Sequence, residues 1–291
     1  MKFLKKFSEQ AMHAVFFLCS LISVAAVGAI SFYLILSGLP AILEVGASGF
    51  FLGTVWDPTN STEPKFGILP MILTSLYGTA AAAALGVPIG FFTALYLSKL
   101  APKPVAAWIR AAVNLLAGIP SVVYGLVGML VLVPALRRFL NLPAGDSLLA
   151  AIIVLAVMIL PSVISVSEAA LSAVPHEYEE GSLALGATEV ETYLRVSTKA
   201  ARSGLAASVV LGLGRAIGEA MAILMVAGNV ANMPALLGSV RFLTTGIAIE
   251  MNYAGHGTLQ RQALFSIGLT LFLFIFLINI VLQLVLKRAK E

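Results

Sequence analysis

The segment Glu168-Ala-Ala-Leu-Ser-Ala-Val-Pro175-His-Glu-Tyr-Glu-Glu180-Gly-Ser-Leu-Ala-Leu-Gly186-Ala-Thr-Glu-Val190-Glu-Thr-Tyr-Leu-Arg195-Val-Ser-Thr-Lys199 differs in character from everything around it. Six of the chain's fourteen acids (Glu168, Glu177, Glu179, Glu180, Glu189 and Glu191) fall inside it, between two long apolar runs. Pro175 predicts a helix start, because a first-turn residue has no use for the missing N–H, and Glu177, Glu179 and Glu180 then suit the N-terminal dipole. Gly186 divides the segment into two expected short helices, Tyr178 to Leu185 and Glu189 to Val196. Leu183, Leu185, Val190, Tyr193, Leu194 and Val196 give these helices apolar faces. Helices that lie on lipid are typically rich in Lys and Arg. An acidic pair with apolar faces fits a protein partner better.

Outward from this segment the chain is lipid-soluble in composition. Of its 291 residues 59% are hydrophobic and 11% charged, against about 45–50% and about 25% in soluble domains, and the mean hydropathy is +0.99. A disordered chain, a disulfide scaffold and a soluble enzyme are excluded; Cys19, the sole cysteine, has no partner for an internal bridge. No basic cluster with interleaved aromatics points to nucleic acid. A helix crosses a bilayer with about 20 apolar residues, and six runs qualify. They are Ala14 to Ser37, Pro70 to Ser98, Val105 to Leu136, Ser147 to Ser167, Gly204 to Ala227 and Ala263 to Leu286. The expected fold class is therefore all-α, a polytopic membrane protein of six transmembrane helices. Lys2, Lys5 and Lys6 resemble the head of a signal peptide, but the apolar run continues past the usual 7–15 residues, so the first span reads as a retained anchor. The second span is rich in Ala and Gly from Thr79 to Gly90, and the third contains Gly118-Ile-Pro120; such residues suit close helix packing or a broken helix beside a cavity.

With the N-terminus inside, twelve Lys and Arg fall in cytoplasmic segments and five (Lys65, Arg137, Arg138, Arg241, Arg261) outside, which sets both termini in the cytoplasm by the positive-inside rule. Organisation follows: residues 1–69 form the first helix and an external loop, 70–286 the main transmembrane domain with its cytoplasmic segment at 175–202, and 287–291 a basic tail. The external segment Gly38 to Leu69 reads mostly as solvated loop. Gly228 to Gln262 is expected to place helical pieces at the interface, with His256 at the surface and no metal site, since no second ligand accompanies it.

Arg215 and Glu219 lie well inside the fifth span, in Leu211-Gly-Leu-Gly-Arg215-Ala-Ile-Gly-Glu219. A charge at the bilayer centre costs about 2.5–3.5 kcal/mol on the insertion scale, so each needs a reason. One is a self-neutralising pair at i and i+4, or an Arg–Glu contact to a neighbouring helix. The other is a polar pathway in which Arg215 meets an oxyanion, for which its planar fork of donors is suited, while Glu219 keeps the hold reversible. Ser121 and Tyr124 are added as candidate pathway residues, because Pro120 leaves nearby backbone groups free. Gly214 and Gly218 form a GxxxG pair expected to pack helices. No Gly-x-x-x-x-Gly-Lys-Ser/Thr occurs, so the chain has no P-loop and energy for transport must come from a partner.

The spacing Glu180-Gly-Ser-Leu-Ala-Leu-Gly186, nine residues, then Val196-Ser-Thr-Lys199 resembles the EAA loop of permease subunits of type I ATP-binding-cassette importers. Glu180 and Gly186 match; Gly181 and Ser182 replace the two alanines, and Thr198-Lys199 replaces Leu-Pro. Trp56-Asp-Pro58 with Phe66-Gly-Ile-Leu-Pro70, Ala117-Gly-Ile-Pro-Ser-Val-Val-Tyr-Gly125 and Gly212 to Glu219 are similar to phosphate importer permeases, the first of them more to the PstC-type subunit than to the PstA-type. The resemblance covers roughly Trp56 to Lys287. It implies a MetI-like fold with cytoplasmic coupling helices, in a bacterial inner membrane. It implies a non-enzymatic transport subunit that binds no cofactor, while a partner ATPase uses ATP and Mg. It also implies a PstA-type second permease, two ATP-binding-cassette subunits and an external phosphate-binding protein. Coupling to the ATPase is expected at Glu179, Glu180, Leu183, Gly186, Val190 and Tyr193, and Arg215 and Glu219 correspond to charged residues of the translocation pathway. Molybdate, sulfate or tungstate are alternative oxyanions. A secondary anion transporter, which would ordinarily show an internal repeat, and a membrane assembly or signalling component are alternative classes.

Overall fold

The computed structural model describes residues 2–288 except Ser61, with side chains for residues 12–280 apart from Ser61. The basic tail 287–291 and the side chains of Lys2, Lys5 and Lys6 lie outside the described side chains. In chain order the elements are α1 (Lys2–Val45), α2 (Ala47–Leu52), a two-stranded hairpin β1 (Trp56–Asp57) and β2 (Lys65–Phe66), and α3 (Leu69–Leu95), which continues through a π turn Tyr96–Leu100. Then come α4 (Lys103–Gly118), α5 (Ser121–Val127), a π turn Gly128–Leu132, α6 (Val133–Phe139) and α7 (Leu148–Ser172). The remainder is α8 (His176–Ala184), α9 (Glu189–Glu191), a π turn Thr192–Ser197, α10 (Thr198–Ala200), α11 (Arg202–Gly218), α12 (Met221–Val226), α13 (Leu243–Glu250) and α14 (Leu259–Arg288).

Among the described residues, five continuous helical stretches are long and apolar enough to cross a membrane: Met12–Val45, Leu69–Leu100, Ser121–Phe139, Leu148–Ser172 and Leu259–Ile280. Two of the six expected spans are corrected. Val105 to Leu136 is broken at Ile119-Pro120, where Ile119 is extended (φ −71°, ψ 126°), because the proline ring disfavours helix at the residue before it and offers no N–H. Gly204 to Ala227, the fifth expected span, is broken at Glu219-Ala220 into α11 and α12. The fourth span also runs further than expected, so that Glu168 belongs to α7 rather than to the loop.

α7 is the central post, and α3 packs along it through glycines. A Cβ on Gly86 would stand 2.7 Å from Ile159 Cδ1 and 2.9 Å from the Ala156 carbonyl, and one on Gly90 2.7 Å from Val163, which accounts for the small residues of the second span. α11 packs on a second side of α7, where Ser167 Oγ donates to Ser208 Oγ at 2.8 Å. Alternation of the crossings is as the sequence implied: Lys99, Arg110, Glu168 and Glu179 meet at one end, whereas Ser147 meets Val226 and Leu149 meets Leu236 at the other.

That opposite end is more ordered than a solvated loop. Phe50, Trp56, Phe66 and Ile68 are buried with Leu243, Leu264 and Ile267. Trp56 Nε1 donates to Glu250 Oε1 at 2.8 Å, and Arg241 Nη1 pairs with the same oxygen at 2.6 Å. One shared carboxylate thus ties the hairpin to α13. The expected helical piece between Gly228 and Gln262 exists as α13, but Leu243 and Thr245 are buried instead of lying at an interface. His256 is exposed, and no cluster of metal-ligating side chains occurs among the described residues.

Candidate functional site

Both breaks are held by groups that replace what the backbone loses there. At the first, Pro120 leaves the Leu116 carbonyl without its usual i+4 donor; Tyr124 Oη donates to it at 2.6 Å. The Tyr124 ring lies against an apolar groove with Val123, Val127 and Val131. Tyr124, expected on the pathway, thus commits its hydroxyl proton to bracing the break. Ser121 opens α5 and is half-buried.

At the second break, Glu219 is extended (φ −73°, ψ 130°) directly after Gly218. Its Oε1 accepts the Ala222 N–H at 3.0 Å, capping α12, a use of a carboxylate at a helix start that satisfies an orphan donor. Its carbonyl accepts Thr244 Oγ1 at 2.7 Å. Since α11 ends before it, Glu219 leaves the register that would place it over Arg215. The self-neutralising pair is absent: neither residue forms an ion pair among the described residues.

Arg215 is half-buried and aims at a cavity of about 460 Å³ lined by Ser162, Val210, Leu211, Gly214 and Asn279. Its Nη1 stands 3.5 Å from Ser162 Oγ, so most of its donors have no partner among the described residues. Three helices, α7, α11 and α14, contribute a hydroxyl, a guanidinium and an amide. Ser162 and Asn279 were not singled out in the sequence, although Asn279 is the one amide in the run Leu269 to Ile280. Among the described residues a Cβ on Gly214 or Gly218, the expected packing pair, meets nothing within 4 Å, whereas Gly212 faces Val163 Cγ2 at 3.0 Å. With Leu211 and Met221 they form an open stripe on the broken helix.

At the end that carries α8, the acidic segment is two short helical pieces about Gly186, which takes φ +87°, a left-handed conformation natural to glycine. Thr188 and Glu191 form a reciprocal cap, Thr188 N–H to Glu191 Oε2 at 3.2 Å and Glu191 N–H to Thr188 Oγ1 at 3.3 Å. The Thr188 backbone N–H, and then the Thr188 hydroxyl donating to the same oxygen at 3.1 Å, hold the Glu191 carboxyl below its ordinary range.

The six expected coupling residues divide. Glu180, Leu183, Gly186 and Val190 are exposed, beside Tyr178 and Leu185, the latter 91% exposed. Glu179 is buried instead and Tyr193 half-buried. Glu179 is 7% exposed; Lys99 Nζ reaches its Oε1 at 2.6 Å and Ser197 Oγ donates at 2.7 Å. Burial pushes the Glu179 carboxyl up, but the Lys99 and Ser197 hydrogen bonds and the Lys99 and His176 charges together hold it below the ordinary range. Tyr193 packs on the cluster containing Leu171, Val174 and Ala201, and burial, then Glu189 and Glu179, raise its phenol. Both anchor the segment to the bundle and leave its apolar outer face to others.

Residues 86–291 match the family described as binding-protein-dependent transport system inner membrane component. The chain belongs to this family. It is 39% identical over 275 residues to the probable ABC transporter permease protein YqgH of Bacillus subtilis (strain 168), covering 94% of this chain and 89% of that protein. It is 35% identical over 283 residues to the phosphate transport system permease protein PstC of Haemophilus influenzae, covering 90% of this chain and 88% of that one. A solved structure of the MetNI methionine ABC transporter, inward facing, superposes with a TM-score of 0.60 at 20% identity over 77% of this chain and 96% of that chain, a likeness of fold. The protein is thus a multi-pass permease subunit of an ABC importer with the MetI-like fold.

Proposed function

We propose that this permease carries inorganic phosphate inward as the PstC-type half of a heterodimeric pathway, with Arg215 as its anion-meeting group. The observation that carries the reading is the Arg215 cavity: a half-buried guanidinium without a carboxylate partner, flanked by Ser162 and Asn279. Similarity to proteins named phosphate transport permeases supports the choice of ion. A planar fork of charged donors suits a tetrahedral oxyanion, and a serine and an amide add neutral donors without adding charge. Glu219, committed to capping α12, leaves the Arg215 guanidinium to the anion.

In this reading α8 to α10 face the cytoplasm and dock on one of two ATPase subunits, which bind ATP and Mg. A PstA-type permease completes the pathway, and an external phosphate-binding protein delivers the ion at the hairpin end. Both termini are cytoplasmic. This chain holds no cofactor. ATP-driven rocking of the two permeases exposes Arg215 to one side and then the other.

The test is uptake of radioactive phosphate by cells lacking other phosphate importers and expressing the whole transporter. Arg215→Gln is expected to lower uptake by at least about tenfold, equivalent to about 1.4 kcal/mol, at unchanged membrane abundance, and Arg215→Lys to retain part of it. Unchanged uptake in Arg215→Gln removes Arg215 from the pathway. Uptake of sulfate or molybdate in place of phosphate overturns the choice of ion.

A further inference from the structure

The face that α7 leaves open changes chemistry along its length. Towards the hairpin end it shows Ile153 and Val157 to an apolar groove. Towards the α8 end it shows Ser165, Ala169 and Ser172 to a cavity of about 310 Å³, whose far wall is Arg110 and Asn114 of α4. Arg110 Nε donates to Glu168 Oε1 at 2.7 Å, with the two side chains 50% and 16% exposed. Its Nη2 reaches the Leu97 carbonyl at 3.4 Å. The remaining Nη protons have no partner among the described residues. Ser172 Oγ shares a hydrogen bond with Ser98 Oγ at 3.0 Å, which fixes the lower edge. Residues three apart on a helix are neighbours, about 4.5 Å along the axis. Ser162, which touches Arg215, and Ser165, which lines the Arg110 cavity, therefore place the two cavities one turn of α7 apart.

We propose that Arg110, Asn114 and the hydroxyls of Ser165 and Ser172 form a second holding site for the transported oxyanion, on the cytoplasmic side of Arg215. The proposal rests on the reading of Arg215 as the pathway residue. A half-exposed Arg–Glu pair contributes little to stability and does not account for an amide and two hydroxyls turned to the same space. A guanidinium half occupied by Glu168 binds a doubly charged oxyanion through its free Nη edge and releases it readily, because the carboxylate competes. Transfer from Arg215 to Arg110 along the α7 serines avoids a single deep trap.

The experiment uses membrane vesicles holding the assembled transporter, with Cys19→Ser and Ala169→Cys in this chain. Ala169 lines the cavity without offering a polar atom. N-ethylmaleimide labelling is measured with inorganic phosphate or with chloride at equal ionic strength. Phosphate is expected to slow labelling about threefold when it stands at about twice its dissociation constant. Arg110→Gln abolishes the protection, Arg110→Lys keeps part of it, and Glu168→Gln keeps or strengthens it. Absence of protection with Arg110 present, or equal protection in Arg110→Gln, overturns the site. Phosphate uptake by the same transporter in cells separates the two readings. Uptake without protection removes the Arg110 site alone, and protection without uptake keeps the site but removes phosphate transport. Loss of both removes both.

Discussion

Glu179 links α3 to the coupling segment through contacts of 2.6 Å to Lys99 and 2.7 Å from Ser197, and removing it leaves Lys99, itself 7% exposed, as a buried charge without a partner. Breaking such a pair from one side costs about 3–5 kcal/mol. Glu179→Ala is therefore expected to lower the unfolding midpoint of the detergent-purified chain strongly, and Glu179→Leu combined with Lys99→Leu to lower it less. The same carboxyl predicts a pH dependence. Its value is held below that of the unfolded chain, so the stabilisation it brings is present above the ordinary carboxylate range and is lost as pH falls through the lowered folded value. Limited proteolysis of residues 176–200 measured from neutral to acid pH is expected to show release below the ordinary range in the wild type. In Glu179→Gln the segment is already loosened at neutral pH and this acid step is missing. From the sequence, Glu179 and Glu180 are both expected at the ATPase contact. The partners of Glu179 come from α3 and from the π turn after α9, and nothing in the local pattern separates two adjacent glutamates until those elements are packed.

At the scale of elements, the two interrupted helices differ in how legible they were. Pro120 announces the first break by itself, since it removes a donor and biases Ile119 to extended backbone. The second has no proline. It depends on the Glu219 carboxylate capping Ala222 and on a hydroxyl from Thr244, twenty-five residues on, so only the folded chain reveals it. α5 and α12, the pieces beyond the two breaks, cross closely at Gly125, where a Cβ would stand 2.8 Å from Ala222 Cα and 2.9 Å from Met225 Sδ. Gly125→Ala forces backbone apart and is expected to destabilise the chain by about 1–3 kcal/mol, as overpacking does. Gly218→Leu meets open space among the described residues and is expected to leave the unfolding midpoint unchanged while lowering phosphate uptake, because it fills the stripe beside Arg215. Equal effects of the two substitutions on unfolding would mean that Gly218 is packed within this chain after all.

Across the whole molecule, apolar side chains with no intramolecular cover occur both along the lipid-length helices and on the short acidic segment outside them. On the helices a bilayer accounts for Phe17, Val24 and Phe92. On the segment a bilayer does not, because Tyr178, Leu183, Leu185 and Val190 alternate with Glu177, Glu180, Glu189 and Glu191, and acids are disfavoured at the lipid surface. The composition of this stretch was readable from the start; which of its residues face out was not, since Tyr193 and Glu179 turn inward only when α3 and the end of α7 are in place. Leu185 is the sharpest probe of the outer face. It sits at the turn beside Gly186, is 91% exposed, and supports nothing in its own chain. Leu185→Asp is expected to shift the unfolding midpoint of the isolated chain by no more than about 0.5 kcal/mol, as for an ordinary surface site. In the proposed docking on the ATPase it would bury an unpaired carboxylate. The same substitution is then expected to lower ATPase recovery on affinity purification of this chain by at least about tenfold, near 1.4 kcal/mol, and to lower phosphate uptake with it. An unchanged ATPase recovery would place the motor contact elsewhere on the α8 end, on Leu183 or Val190, and leave Leu185 facing solvent in the assembled transporter.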